Sequence, residues 1–139
     1  MVADVGGVLG EDAGGSLLRV ARMVEAGLPV AALDRVVRLM APDDAGFVSR
    51  IVPKATLSRR RAAPEAGLSV EESNKVARLA KVWAMAISVW RDEGDARAFL
   101  RRPHPMLEGR APREVAVASD PGADAVVALI GRGAYGGGV

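Results

Sequence analysis

The sequence lacks cysteine altogether, and it has few of several other residues that support particular kinds of chemistry. Without cysteine the chain forms no disulfide and offers no thiolate to a metal or a substrate. His104 is the only histidine, whereas a zinc site needs several histidine or cysteine ligands. Unbroken apolar runs are short, as from Val82 to Ile87, and a bilayer-spanning helix needs about 20 residues. We therefore expect no metal, no cofactor and no membrane insertion.

Aromatic residues are also scarce, and this bounds the kind of core that the chain can build. The 139 residues include two Trp, two Phe and one Tyr, while half of all residues are hydrophobic. Such a core depends on Ala, Val and Leu, whose small side chains favour close packing of helix on helix. The expected fold class is all-α.

No charged-then-apolar leader with a small-residue cleavage site is visible, which predicts a cytoplasmic protein.

Apolar periodicity and helix-breaking residues divide the chain into segments. Residues 1–15 are glycine-rich without apolar periodicity, so we expect a disordered tail there. Two helical modules are expected after it, over residues 16–66 and 67–139. The predicted helices are Leu17–Ala26, Pro29–Met40, Pro42 to about Arg50, Pro53 to about Arg61, Ser69 to about Glu93, Asp95–Arg102, Pro112–Val117 and Ala123–Ile130, before a glycine-rich tail.

One helix has an unusually clear start. Ser69 is followed three residues later by Glu72, the spacing of a capping box in which each side chain bonds the other residue's backbone amide. A broad apolar face follows it, up to Trp90, and Gly94 is expected to end the helix. This helix is predicted to be the scaffold of the second module.

None of three possible catalytic or cofactor-binding features has a convincing context. The pair Glu71 and Glu72 suits the positive end of the helix that it opens, so its position needs no catalytic explanation. Residues 131–136 match G-x-G-x-x-G, but that motif binds a dinucleotide only between a strand and a helix, and a helix is expected before it. His104 lies between two prolines in a loop, which favours a structural or contact role. We predict no catalytic residues and no enzyme.

The basic residues are clustered. Residues 50–61 contain five cations and no acidic residue. Residues 47–60 read as a helix, a tight turn and a second helix that Pro53 opens. This layout is typical of a helix-turn-helix, with residues 53–61 as its recognition helix. A solubilising charged face is the alternative interpretation. On the first interpretation the DNA-binding residues are Lys54, Thr56, Ser58, Arg59, Arg60 and Arg61.

From Leu68 onward, four segments in order resemble the Xre/MbcA/ParS antitoxin family. They are Leu68–Ser73 with Val76–Val82, then Ala98–Pro105 with Leu107–Gly109, then Ala111–Glu114, and last Val126–Gly136. Residues 28–61 are similar to the family's N-terminal region, although less strongly. The resemblance implies an Xre-like helical module with a helix-turn-helix, followed by a helical module that binds a toxin.

The resemblance also implies partners. It predicts an antitoxin that binds a RES-domain, NAD-consuming toxin and blocks its active-site cleft, with a homodimer through the N-terminal module and operator DNA as further partners. A stand-alone helix-turn-helix transcriptional regulator is the alternative. The toxin-binding residues expected from the loop after residue 100 and from the chain's end are Arg101, His104, Met106, Leu107, Arg132, Tyr135, Gly136 and Val139.

Overall fold

The structure is a computed structural model, and it describes residues 5–10 and 17–135, with the backbone alone for residues 134 and 135. Over these ranges the chain is helical and forms no extended strand, so the all-α prediction is confirmed. Short 3₁₀ helices lie at Pro64–Ala66 and Pro105–Leu107. The α-helices are α1 (Val5–Val8), α2 (Leu17–Ala26), α3 (Val30–Met40), α4 (Phe47–Ile51), α5 (Lys54–Ala62), α6 (Val70–Trp90), α7 (Glu93–Arg101), α8 (Pro112–Ala118) and α9 (Asp120–Tyr135).

Helix α6 is the centre of the fold, because helices from both halves of the chain pack against it. Its predicted capping box is present: Glu72 N donates to Ser69 Oγ at 3.0 Å, and Ser69 N donates to Glu72 Oε1 at 2.9 Å. Along its 21 residues, Val76, Leu79 and Val82 are fully buried. None of the described helices, α6 included, has the length and apolarity needed to cross a membrane.

The end of α6 was predicted three residues too late. The helix stops at Trp90, and Arg91 follows in the left-handed conformation with φ 55°. Asp92 then caps a new helix, since its Oδ2 accepts the Asp95 N–H at 2.9 Å. Gly94, the expected stop, therefore lies in the first turn of α7. A good N-cap at Asp92 outweighs the helix-ending tendency of the glycine.

The expected disordered tail is wrong for residues 5–10. These residues form α1 and the turn after it, with Val8 and Leu9 buried at 5% and 2% exposure. Arg35 on α3 holds the turn, because its Nε donates to the Val8 carbonyl at 3.0 Å. Two apolar side chains with a core to enter are enough to order a glycine-rich segment. The remainder of residues 1–15, and the expected cap Ser16, lie outside the described residues.

The last helix is longer at both ends than predicted. It begins at Asp120, because a proline at the second helical position, Pro121, costs no hydrogen bond. It continues past Ile130 through residues 131–135, so the described part of the G-x-G-x-x-G match is helical, where the helix was expected to have given way to a glycine-rich tail. At Gly122 an added Cβ would overlap the Val115 carbonyl oxygen, which means that α8 and α9 approach closely only because this residue is glycine.

The linker between α5 and α6, which contains residues 63–67, lies against the first module, and two glycines permit this close approach. Leu68 N donates to the Leu28 carbonyl at 2.8 Å, and Leu28 N donates to Ser73 Oγ at 2.8 Å inside the core. Gly27 and Gly67 both have positive φ, at 91° and 69°, and a Cβ at Gly27 would lie 2.6 Å from the Leu68 oxygen. The linker is thus fixed to the loop between α2 and α3.

Candidate functional site

Helix α5 presents most of its surface to solvent. Leu57 is its only buried residue, and it anchors the helix against the core. Lys54, Ser58 and Arg59 are exposed on the outer side, together with two alanines. Thr56 is half-buried, and its hydroxyl accepts a long hydrogen bond from Arg59 Nη2 at 3.4 Å. Four of the six residues predicted to bind DNA therefore lie on, or at the edge of, the exposed side of α5.

The other two predicted DNA-binding residues are engaged within the protein. Arg60 makes a two-pronged ion pair with Glu72 on α6, with Nε–Oε1 at 3.0 Å and Nη2–Oε2 at 3.1 Å. Arg61 does the same with Asp34 on α3, at 2.9 and 2.8 Å. Both pairs have the planar geometry for which a guanidinium is suited. They tie the C-terminal end of α5 to two different helices.

These pairs also shift the protonation equilibria of both carboxylates. Burial raises the pKa of Glu72, but the hydrogen bonds from Arg60 and Ser69 outweigh it, so the pKa lies below its ordinary 4.5. The hydrogen bond from Arg61 is the main reason why the pKa of Asp34 lies below its ordinary 3.8. In return, the pKa values of Arg60 and Arg61 are raised by their partners. All four groups are charged at neutral pH.

A second exposed surface lies just after α7. Arg101 is the last residue of that helix and is exposed, and Met106, five residues on, is 59% exposed. His104 is half-buried; its Nδ1 accepts the Met106 N–H at 3.1 Å, which fixes the loop. Leu107 packs partly against the core. Four predicted toxin-binding residues thus share one short segment, residues 101–107.

A stack of aromatic rings packs against this loop through His104. The ring of His104 lies edge-on to Phe99, with centroids 6.0 Å apart, and Phe99 is stacked on Trp90 at 4.6 Å. The stack therefore joins the end of α6, the middle of α7 and the loop. His104 acts here as a structural residue that shapes the segment 101–107.

The remaining predicted toxin-binding residues are at the other end of the module. Arg132 is exposed on the last turns of α9, and Tyr135 is the last helical residue described. Gly136 and Val139 lie outside the described residues. Within the part of the chain that the structure describes, no hydrogen bond, ion pair or ring contact joins Arg132 to the segment 101–107. The structure thus brings together four of these eight residues.

Sequence reasoning missed a cleft between the two halves of the chain. It has a volume of about 190 Å³ and is lined by residues 40–44 together with Arg97, Arg101 and Arg113. Arg97 Nε donates to the Leu39 carbonyl at 2.7 Å, and Arg113 Nη2 bonds Asp44 Oδ2 at 2.6 Å. Arg101 makes no ion pair among the described residues.

Arg113 is the least expected of these residues. Its side chain is 9% exposed, and its Nε is buried without a hydrogen-bond partner among the described residues. An unpaired buried donor costs about 1–3 kcal/mol, so the other contacts of this arginine must offset it. A sequence signal existed: an arginine in the first turn of an apolar helix opposes the helix dipole, and therefore requires a partner.

Comparison with known families divides the chain at α6. Residues 17–81 match the antitoxin Xre-like helix-turn-helix domain, and residues 85–136 match the C-terminal toxin-binding domain of the Xre/MbcA/ParS antitoxins. The first match contains α2 to α5 and the start of α6; the second contains the end of α6 and α7 to α9. No curated protein matches the chain. Both matched families are antitoxin families rather than enzymes.

Proposed function

Since this chain belongs to the Xre-family antitoxins, we propose that it binds and neutralises a RES-domain, NAD-consuming toxin by covering the toxin's active-site cleft. The observation that carries the proposal is the toxin-binding match over residues 85–136, which includes the exposed segment 101–107. The resemblance of Ala98–Pro105 and Leu107–Gly109 to the family supplies the RES class. A stand-alone regulator is not favoured, because it would have no need of a toxin-binding domain.

The segment 101–107 offers a suitable contact chemistry. Met106 is an exposed thioether on a loop held by the His104 hydrogen bond, and Arg101 is a nearby exposed cation without an ion pair among the described residues. Interface energy commonly comes from a few apolar anchors, with charged residues at the rim setting orientation. We propose Met106 as the anchor and Arg101 as the rim charge, with Arg132, Tyr135, Gly136 and Val139 forming a second contact.

The first experiment is co-expression with the adjacent reading frame, followed by pull-down and an assay of cellular NAD. Co-purification and restored NAD are expected. Met106→Ser should weaken the complex at least tenfold, whereas Val70→Ser, which also removes an exposed apolar side chain but lies on the other domain, should not. Absence of both a complex and NAD rescue would reject the toxin-neutralising function.

We propose DNA binding through α5 as a second function. Lys54, Ser58 and Arg59 are exposed together on α5, which we propose is the recognition helix that enters the major groove. Each phosphate contact releases about one counterion, so affinity should fall steeply with salt. Arg59→Ala should lower the slope of log affinity against log salt by about one. A slope unchanged by this substitution would mean that Arg59 contacts no phosphate.

A homodimer through the first module would present two copies of α5 to DNA. Leu17 and Leu18 at the start of α2 are 77% and 67% exposed, which is unusual for two adjacent leucines. We propose that α2 forms the dimer contact. Light scattering should give twice the monomer mass for the wild type, and Leu17→Asp with Leu18→Asp should halve it. A monomeric wild type would reject this proposal.

A further inference from the structure

Arg113 belongs to the toxin-binding domain, but its contacts are with the helix-turn-helix domain. Its Nη2 donates to Asp44 Oδ2 at 2.6 Å, and its guanidinium carbon lies 4.9 Å from the centre of the Phe47 ring. Arg113 is within the 85–136 match, whereas Asp44 and Phe47 are within the 17–81 match. The side chain therefore crosses the boundary between the two domains.

The two residues that it contacts determine how α4 begins. Asp44 Oδ1 accepts the Gly46 N–H at 3.0 Å, and the Asp44 carbonyl accepts the Phe47 N–H at 3.2 Å. Phe47 is the first residue of α4 and is fully buried. A helix of five residues has too few internal hydrogen bonds to hold its own position, so its orientation depends on outside contacts.

The residue after Arg113 contacts the other end of α4. Glu114 accepts a hydrogen bond from Arg50, in the last turn of α4. Arg50 Nη1 also lies 3.9 Å from Asp44 Oδ2, so the two contacts form one charged network of Arg113, Asp44, Arg50 and Glu114. Two consecutive residues of α8 thus hold both ends of α4.

We propose that Arg113 is a positioning residue for the helix-turn-helix: it sets the orientation of α4, and through Val52 and Pro53 that of α5. This inference rests on the proposed DNA binding only for its functional consequence. The hydrogen bond and the ring contact of Arg113 both go to residues 44–47, whereas a residue that merely filled the core of its own domain would find its partners there. The toxin-binding domain therefore completes the DNA-binding one.

The variants are Arg113→Met, which keeps the apolar stem without the charge, and Asp44→Asn, which removes the partner from the other side in case the first variant fails to fold. Arg113→Lys keeps the charge without the planar group and should give an intermediate effect. Arg110→Met is the matched control, since Arg110 is exposed and makes no ion pair among the described residues. All are made in the full chain.

Three readouts are compared: affinity for the DNA upstream of the chain's own reading frame, binding of the co-expressed toxin, and amide hydrogen exchange. Arg113→Met and Asp44→Asn should weaken DNA binding at least tenfold, accelerate exchange in residues 47–52 at least tenfold, and leave toxin binding within twofold. Unchanged exchange in residues 47–52 would overturn the proposal. So would a parallel loss of toxin binding, which would show a general role in folding.

The two proposals fail in different ways. If the wild type binds no DNA at any salt concentration, the proposed DNA-binding function is rejected, and hydrogen exchange alone decides the role of Arg113. If the wild type binds DNA and Arg113→Met binds equally well with unchanged exchange, the positioning role is rejected while DNA binding stands.

Discussion

Helix α5 carries the predicted DNA-binding residues and helix α9 carries the second part of the predicted toxin contact, and the two helices are held in place by different forces. Helix α5 buries one side chain, Leu57, and is tied down by two ion pairs. Helix α9 buries Ala123, Val126, Leu129 and Ile130, and lies against α8 and α6. Burial depends on shape and volume, whereas ion pairs depend on pH and salt. The comparison predicts that charge substitutions and salt change how firmly α5 is held, whereas changes in side-chain size affect how firmly α9 is held.

The largest effect should come from emptying the core under α9. Ile130 is fully buried, so Ile130→Ala should lower the free energy of unfolding by about 2–5 kcal/mol. Leu57→Ala deletes the same number of carbons from α5, but Leu57 lies at the edge of the core with 9% exposure, and it should cost less. Urea denaturation measures both. Equal losses would remove the distinction between a packed helix and a tethered one.

Two glycines in α9 give a sharper test of packing. Gly122→Ala places a Cβ against the Val115 carbonyl oxygen, so it should cost about 1–3 kcal/mol by forcing α8 and α9 apart. At Gly131 a Cβ would make ordinary contact with Met85 Cε at 3.7 Å. Gly131→Ala should therefore stabilise the helix by up to about 1 kcal/mol. Changes of the same sign, measured by urea denaturation, would contradict the close approach at Gly122.

Local signals made much of the fold predictable. Helix α2 has the predicted bounds, and the capping box of Ser69 and Glu72 starts α6 where the sequence indicated. Such signals act within one turn of helix and need no knowledge of the rest of the chain. They failed where tertiary contacts decide: Val8 and Leu9 find the core in a glycine-rich segment, and α9 continues through Gly131 and beyond.

The site was less predictable, because charge alone does not say which partner a side chain meets. The sequence grouped Arg59, Arg60 and Arg61 as equivalent cations. In the fold, Arg60 pairs with Glu72 and Arg61 with Asp34, 12 and 27 residues away, while Arg59 remains exposed. Arg113 and Asp44 are 69 residues apart, and no local pattern connects them. Contacts at such separations are set by the packing of helices.

Substitutions in the capping box distinguish the stability contributed by the Ser69 cap of α6 from that contributed by the Arg60–Glu72 ion pair, which holds α5. Ser69→Ala removes the cap and should cost about 1 kcal/mol at pH 7. Glu72→Gln keeps an acceptor for the Ser69 N–H but loses the charge opposite Arg60. Because the pKa of Glu72 is lowered on folding, its contribution is present above pH 4.5 and lost as the pH falls through the folded value. Thermal unfolding at pH 7 and at pH 3 should therefore show a smaller Glu72→Gln deficit at pH 3 than at pH 7.

The smallest effect on stability is expected at the Arg61–Asp34 ion pair, the second of the two that hold α5. Arg61 and Asp34 are 48% and 41% exposed, so their pair should contribute about 0.2–1 kcal/mol at low salt and less at 1 M salt. The pKa of Asp34 is lowered on folding, so this contribution is present above pH 3.8 and lost at lower pH. Asp34→Asn should thus destabilise the protein slightly at pH 7 in low salt, and the deficit should shrink in 1 M salt.

Arg38→Met is the control for Asp34→Asn, because Arg38 acts on Asp34 only through a weaker electrostatic effect. Urea denaturation at two salt concentrations distinguishes the two substitutions. A salt-independent deficit in Asp34→Asn would mean that Asp34 stabilises α3 by packing rather than by charge, and α5 would then be held to the core more like α9. A deficit that disappears in 1 M salt would show that the end of α5 is released when its charges are screened.

Phosphate contacts by Arg59 would be screened at that same salt concentration, so measurements of DNA affinity against salt should be made in the Asp34→Asn background as well.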